Sequence, residues 1–266
     1  MRLCTFLDGR QTRLGSVEGA SVQPLTGRDV RDAIAGRLPA PDGDPLRLAD
    51  LTLAPPLIPG KLLGIGLNYR DHAIEIGAEL PQEPLVFSKL TTSITGPGDD
   101  VRLPEYTREL DYEGELAVII GRHARDVAEG DALGHVFGYA VMNDITARDR
   151  QRTEPQWTRA KGGDTFGPFG PWVTTADEIA DPQALRIRTW VGDELRQDAD
   201  TAGMVFSVAA LVAWCSASFT LEPGDVITTG TPAGVGVART PRVFLVPGDR
   251  VRVEIDGLGA LENRVR

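Results

Sequence analysis

The run Asp111-Tyr112-Glu113-Gly114-Glu115 sets three carboxylates two residues apart, directly before Leu116-Ala117-Val118-Ile119-Ile120. An alternating segment that ends in branched aliphatics predicts a β-strand. On a strand, residues i, i+2 and i+4 share a face, so Asp111, Glu113 and Glu115 point the same way. Massed negative charge beside a segment about to be buried is costly unless a positive group lies between the carboxylates. A hard divalent cation, which takes oxygen ligands, answers that need. From the spacing alone, a solvated acidic strand face is the plain alternative.

A second acidic position is Asp144, in Ala140-Val141-Met142-Asn143-Asp144-Ile145-Thr146. A carboxylate at the end of an apolar strand can complete a cation site begun by a neighbouring strand, and Mg²⁺ leaves room for water or a bidentate substrate. Equally, Asp144 could cap the turn over 146–151. His72 and Glu75 lie three apart, which places them on one face if that segment is helical. A carboxylate that orients an imidazole makes a general base, although a surface His–Glu pair has the same spacing. Lys161 heads the Gly-rich run 162–171, where an ammonium can meet an anionic substrate or simply be solvated. Thr229-Gly230-Thr231-Pro232-Ala233-Gly234-Val235-Gly236 offers backbone N–H groups and hydroxyls for a carboxylate or oxyanion, or is an ordinary turn.

These side chains need a frame. Residues 1–55 read as a small N-terminal domain: a hairpin about Asp8-Gly9, then a short amphipathic helix over Gly27 to Leu38. A proline-punctuated linker follows, and 56–266 form the main domain. Strands are predicted at 61–66, 84–90, 112–120, 136–146, 172–175, 225–230 and 249–255, with a hairpin about Gly192-Asp193. Asn68 is the expected cap, and Gly77 the stop, of a helix carrying His72 and Glu75. Ser207 to Ser216 has helical spacing. Thirty Gly and nineteen Pro among 266 residues fit a turn-rich, β-rich architecture. The net charge of −10 argues against nucleic acid. Cys4 and Cys215 form no framework and no ligand spacing, which suits a reducing cytoplasm. Neither a signal peptide nor a membrane span is expected. Gly64-Ile65-Gly66 and Gly234-Val235-Gly236 lack the Gly-x-Gly-x-x-Gly unit, so neither is a nucleotide loop.

Five motifs then stand in order: Gly66-Leu67-Asn68-Tyr69-Arg70-Asp71-His72, Asp111-Tyr112-Glu113-Gly114-Glu115-Leu116-Ala117, Asn143-Asp144-Ile145-Thr146-Ala147-Arg148-Asp149, Trp157-Thr158-Arg159-Ala160-Lys161-Gly162 and Thr229 to Gly236. Together they resemble the fumarylacetoacetate hydrolase family in its short bacterial form, over about residues 57–266. The resemblance implies a mixed, β-rich α+β fold: a β-roll catalytic domain with a small N-terminal α/β domain. It also implies bound Mg²⁺ or Mn²⁺ (Ca²⁺ as a further option) and a homodimer. Glu113, Glu115 and Asp144 fall on the family's metal ligands, and Asp111 on a supporting position. The resemblance puts His72 and Glu75 on a His–Glu dyad carried by a helical lid, and Lys161 on the active-site lysine. Tyr69, Arg148, Gln151 and Thr231 fall on substrate contacts. Leu90, Gly163 and Gly203 depart from the family's usual residues, which points to an individual substrate pocket.

The implied activity is metal-dependent chemistry on a 2-oxo acid or 1,3-dicarbonyl, dicarboxylates included, through an enolate. C–C bond hydrolysis of an acylpyruvate- or fumarylacetoacetate-type compound is the leading expectation. Isomerisation of a hydroxymuconate- or heptadienedioate-type substrate and decarboxylation of an oxaloacetate-type acid are the alternatives. A different class, a non-catalytic domain that binds Ca²⁺ or a protein, has no need for His72, Glu75, Lys161 and Arg148 together.

Overall fold

The computed structural model describes residues 1–36 and 39–266. Strands β1 (Arg2–Asp8) and β2 (Gln11–Glu18) form the expected hairpin, closed by the Asp8–Gln11 pair, and β3 (Ser21–Leu25) extends it. The first helix, α1, is only Val30–Ile34, capped by the Asp29 carboxylate on the Arg31 N–H at 2.8 Å. Its expected end at Leu38 lies outside the described residues.

The main domain supplies β4 (Leu62–Gly66), α2 (Arg70–Ile76), β5 (Leu85–Lys89), β6 (Gly114–Ile120) and β7 (Val136–Asn143). After them come α3 (Arg148–Thr153), α4 (Thr158–Lys161) and β8 (Gly167–Thr175). The last third contributes β9 (Arg186–Val191), β10 (Glu194–Asp200), α5 (Val208–Ser218), β11 (Val226–Thr228), β12 (Arg250–Ile255) and β13 (Gly259–Val265). A twelve-stranded sheet runs β3-β2-β1-β8-β7-β6-β11-β4-β5 with short flanking strands. A five-stranded sheet runs β10-β9-β12-β13 and ends on Asp100–Val101. The architecture is the mixed, β-rich α+β fold that the sequence implies. Strands on either side of the Pro55-Pro56 linker share one sheet, because β1 pairs with β8 at Arg2–Thr174 and Leu3–Val173.

Strand β6 is buried on both faces. Leu116, Val118 and Ile120 join the larger core, with α5 and the inner face of the five-stranded sheet. Ala117 and Ile119 join a second core with Leu3, Leu14, Met142 and Phe169. Burial on both faces explains the unbroken aliphatic run. It also fixes the register, since a slip of one residue would exchange the two faces.

Several boundaries differ from expectation. Asn68 is not the cap of α2. Tyr69 holds that position, and the Asn68 amide instead donates to Thr229 O at 2.8 Å and accepts from Phe206 N–H at 2.9 Å. Gly77 does stop the helix, with φ of 68°. The expected loop up to Pro171 is strand from Gly167 onward, because Gly170 and Pro171 fall where the β7–β8 register shifts, a position that tolerates them. Strand β7 stops at Asn143 rather than 146. That lets Asp144 leave the sheet, while Thr146–Ala147 pairs with Leu110–Asp111 in a separate ladder. Strand β13 was not anticipated: Asn263 sits at an inward position and donates to Gly96 O and Asp99 O.

Candidate active site

Glu113 stands just before β6, Glu115 within it, and Asp144 just past β7. The Asp144 N–H donates to Glu113 O at 2.8 Å, so the ladder's end sets the two acids side by side. All three are buried, and one carboxylate oxygen from each lies within 4.8 Å of the others. Asp111 does not share their cluster. The chain breaks strand geometry at Tyr112-Glu113, and Asp111 turns to accept from the Tyr112, Gly236 and Val237 N–H groups and from Arg148 Nε at 2.8 Å.

Three cations surround the acids. Lys161 ends the short α4 rather than riding on a loop. Its ammonium donates to Glu113 Oε2 at 2.6 Å, Asp144 Oδ2 at 2.7 Å and Thr146 Oγ1 at 2.9 Å. Arg148 Nη2 lies 2.7 Å from Glu113 Oε1 but is poorly aligned for a hydrogen bond, while Nη1 donates to Gln151 Oε1 at 3.0 Å. The third is Lys89, at the end of β5 and fully buried, which donates to Asp144 Oδ1 at 2.5 Å and to the Lys161 carbonyl. Sequence reasoning gave Lys89 no role. Its only signal was a lysine closing an apolar strand.

These contacts order the charges. Burial favours the neutral form of Glu113, but Arg148 and Lys161 outweigh it and hold that carboxyl below the usual range. Burial, then the charges of Asp144 and Glu113, push the Glu115 carboxyl well above it. Lys161 is raised because Asp144 and Glu113 overcome its desolvation, whereas desolvation wins at Lys89 and lowers it. With Glu115 protonated, three buried carboxylates (Asp111, Glu113, Asp144) face three buried cations (Lys89, Arg148, Lys161), and ionising Glu115 adds one unmatched negative charge. The three clustered acids are hard oxygen donors at metal-ligand spacing, and their full ionisation leaves the pocket one positive charge short, so a divalent cation fits them.

A proton balance follows from this. In the metal-free protein Glu115 keeps its proton to higher pH than a free carboxyl does. A cation takes the deprotonated form, so uptake releases that proton wherever Glu115 still holds it, and affinity rises with pH across that range. Titrating Mg²⁺ into the protein in buffers of different ionisation heat should show net proton release. Buffer-independent heats would count against Glu115 as a ligand.

Glu113 and Glu115 open into a cavity of about 610 Å³, with Asp144 buried behind them. Glu113, Glu115, Lys161, Arg148, Gln151 and Thr231 line it, together with His72 and Glu75 from α2. His72 Nδ1 lies 3.1 Å from Glu75 Oε2, and Glu75 Oε1 accepts from Gly234 N–H at 2.8 Å. Glu75 thereby fixes the ring and leaves Nε2 as the unengaged nitrogen. Tyr69 corrects the expectation of a substrate contact. It is fully buried in the larger core, does not line the cavity, and has a hydroxyl with no hydrogen-bond partner, because the helix cap turns its ring inward. Leu67, two residues earlier and at φ of 57°, lines the cavity instead.

The Gly-rich run after β11 was expected to offer N–H groups to a ligand. The protein's own carboxylates take them. Gly230 N–H donates to Glu115 at 2.9 Å, Gly234 to Glu75, and Gly236 to Asp111 at 2.8 Å. Thr228 also donates to Glu115. The Thr231 hydroxyl donates to Gly114 O at 2.9 Å and accepts from Gln197. Glycine is required at two of these positions: a Cβ on Gly234 would meet Arg196 O, and one on Gly236 would meet Val243 O, each at 2.0 Å. Among the departures from the family pattern, a Cβ on Gly163 would come 2.8 Å from the Tyr106 hydroxyl.

Among the described residues no helix is long and apolar enough to cross a membrane. Comparison with known proteins fits the geometry. The profile of the Fumarylacetoacetate (FAA) hydrolase C-terminal family matches residues 61–266, and an Rv2993c-like N-terminal profile matches residues 1–56. The chain is 49% identical over 215 residues to an oxaloacetate tautomerase, mitochondrial, of Xenopus laevis, spanning 80% of this chain and 67% of that one. A fumarylacetoacetate hydrolase from Exiguobacterium antarcticum superposes with a TM-score of 0.91 at 38% identity, covering 100% of this chain and 99% of the other. A 2-hydroxyhepta-2,4-diene-1,7-dioate isomerase from Mycobacterium marinum gives 0.85 at 37%, covering 100% and 98%. Over more than three-quarters of its length, therefore, this chain belongs to the fumarylacetoacetate hydrolase family of enzymes.

Proposed function

We propose that the chain is a divalent-metal-dependent hydrolase that cleaves a C–C bond in an acylpyruvate- or fumarylacetoacetate-type 2-oxo acid. One observation carries the reading: Glu113 and Glu115, two members of the buried Glu113–Glu115–Asp144 triad, line the same cavity as the His72–Glu75 pair. Mg²⁺ or Mn²⁺ held by those three carboxylates would supply Lewis acidity, polarising the substrate carbonyl and easing enolate formation.

The chain's own residues do the rest. Glu75 holds Nδ1 of His72, so Nε2 takes a proton from water. Hydroxide adds to the carbonyl carbon of the acyl group, and the C–C bond to the neighbouring carbon breaks. The electron pair stays on the leaving fragment as an enolate, which then takes up a proton. Lys161 and Arg148 place positive charge beside Glu113 where negative charge grows on the substrate. The cavity wall from Ile76, Trp157 and Leu67 keeps the reacting centre partly dry.

The likeness to an oxaloacetate tautomerase favours a second reading, in which His72 only moves a proton between carbon and oxygen of a 2-oxo diacid. A panel of acylpyruvates and oxaloacetate, followed by ultraviolet absorbance with product analysis, separates the two. Hydrolysis consumes the diketone band and yields pyruvate plus an acid. Loss of the band with no new acid replaces hydrolysis by tautomerisation or isomerisation, and released CO₂ replaces it by decarboxylation. No Mg²⁺-dependent change with any of these substrates sinks the enzymatic reading. The homodimer and the cytoplasmic setting belong to the same proposal, and light scattering of the purified protein tests the dimer.

A further inference from the structure

Gly114 opens β6 and stands between the two acids Glu113 and Glu115. The neighbouring strand β11 reaches only Thr228, opposite Ala117. Thr229 N–H still donates to Leu116 O, and Gly230, at φ of 91°, then turns the chain out of the ladder. Among the described residues no strand runs beside Gly114 on that edge. A buried N–H or C=O left unpaired there would be costly.

Two side chains take the strand's place. Gly114 N–H donates to Gln197 Oε1 at 2.9 Å, and Gly114 O accepts from the Thr231 hydroxyl at 2.9 Å. Gln197 Nε2 closes the ring by donating to Thr231 Oγ1 at 2.7 Å, and it gives its second hydrogen to Pro232 O at 2.8 Å. These partners fix the orientation of the amide, since only Oε1 can accept from Gly114 and only Nε2 can serve Pro232. Gln197 comes from the five-stranded sheet and is 1% exposed, while its neighbours along β10 are not buried. Thr189 pairs with it on β9 and backs the same glycine. A Cβ on Gly114 would come 2.3 Å from Thr189 Oγ1, a hydroxyl with no hydrogen-bond partner among the described residues.

A glycine is the most permissive residue of a backbone, and the peptide units on either side of it set the directions of Glu113 and Glu115. We infer that Gln197 is a positioning residue for this acid pair: through the Gly114 backbone and the Thr231 hydroxyl it holds Glu113 and Glu115 at metal-ligand spacing. The inference rests on the metal-centred reading above, and not on which reaction the cation serves. Partners one step behind the ligands govern metal affinity without touching the metal.

Gln197→Met keeps the length and the neutrality of the side chain, so no change of charge acts on the cation. Calorimetry of Mg²⁺ on the full-length protein should show an affinity about 10–100-fold below that of the wild type, with folding checked by near-ultraviolet circular dichroism. Thr231→Val opens the ring on its other side and should weaken Mg²⁺ severalfold. In the double variant the combined loss should be smaller than the product of the two, because both act through one ring. Thr189→Val alters packing behind the same glycine but removes no hydrogen bond, and should bind Mg²⁺ as the wild type does. Wild-type affinity in folded Gln197→Met overturns the inference and leaves the metal-centred reading standing. An equal loss in Thr189→Val overturns it too, since packing rather than the amide would then be the cause. If Gln197→Met does not fold, Thr231→Val decides: lowered affinity supports the ring, and unchanged affinity overturns it. A wild type that binds no Mg²⁺ overturns the inference and the metal-centred reading together.

Discussion

Glu113→Gln is expected to bind no Mg²⁺ at millimolar concentration and to lose activity by roughly a thousandfold or more, the scale of a few kcal/mol of lost transition-state stabilisation. The substitution keeps the size of the side chain and its place before β6. It removes the carboxylate that faces Lys161 at 2.6 Å and Arg148 at 2.7 Å. Lys161 keeps Asp144 and Arg148 keeps Asp111, so each buried cation loses one of two counter-charges, and stability should fall by less than the about 3–5 kcal/mol of a fully unpaired buried charge. Calorimetry for the metal and urea unfolding for the fold read the two effects separately. A folded variant that keeps wild-type Mg²⁺ affinity and turnover would remove Glu113 from the metal site and end the proposed scheme.

His72→Asn tests the other half of the cavity. Asparagine still fills part of the space on α2 and can hydrogen-bond to Glu75, but it cannot take a proton from water. Turnover should drop by about 10²–10⁴, the usual contribution of a positioned general base, while Mg²⁺ affinity stays near that of the wild type. The contrast with Glu113→Gln matters more than either value alone. One variant loses metal and rate together, the other rate only. Matching losses of metal affinity in both would mean that His72 acts through the acids rather than on the substrate, and an unchanged rate would remove it from catalysis.

How far the sequence leads depends on the range over which each residue acts. Strand β6 is legible because branched aliphatics buried on both faces leave a local mark. So is the helix of His72 and Glu75, whose stop at Gly77 is a single-residue signal. Glu113 and Glu115 are visible by spacing, and Asp144 by its place at a strand end. What stays hidden is set by contacts distant in sequence. Lys89 meets Asp144 across 55 positions, and nothing near it in the chain announces a buried ammonium. Tyr69 sits in a motif with true cavity residues, yet one backbone step turns it into the core while Leu67 faces the opening. The Gly-rich run reads as free donors, because no local rule shows that Glu75, Glu115 and Asp111 already occupy them. Strand β8 was obscured by its own glycines and prolines, which fall at a register shift.

The ribbon from Gly230 to Gly236 holds Glu115, Glu75 and Asp111 through the backbone N–H groups of residues 230, 234 and 236. Whatever displaces it displaces all three, so natural variation here is penalised several times over. The segment that follows, Arg239 to Arg242, donates to none of these carboxylates and lines the same cavity. A change confined to Arg239–Arg242 would therefore alter the cavity wall while the backbone donors to the three carboxylates stay in place.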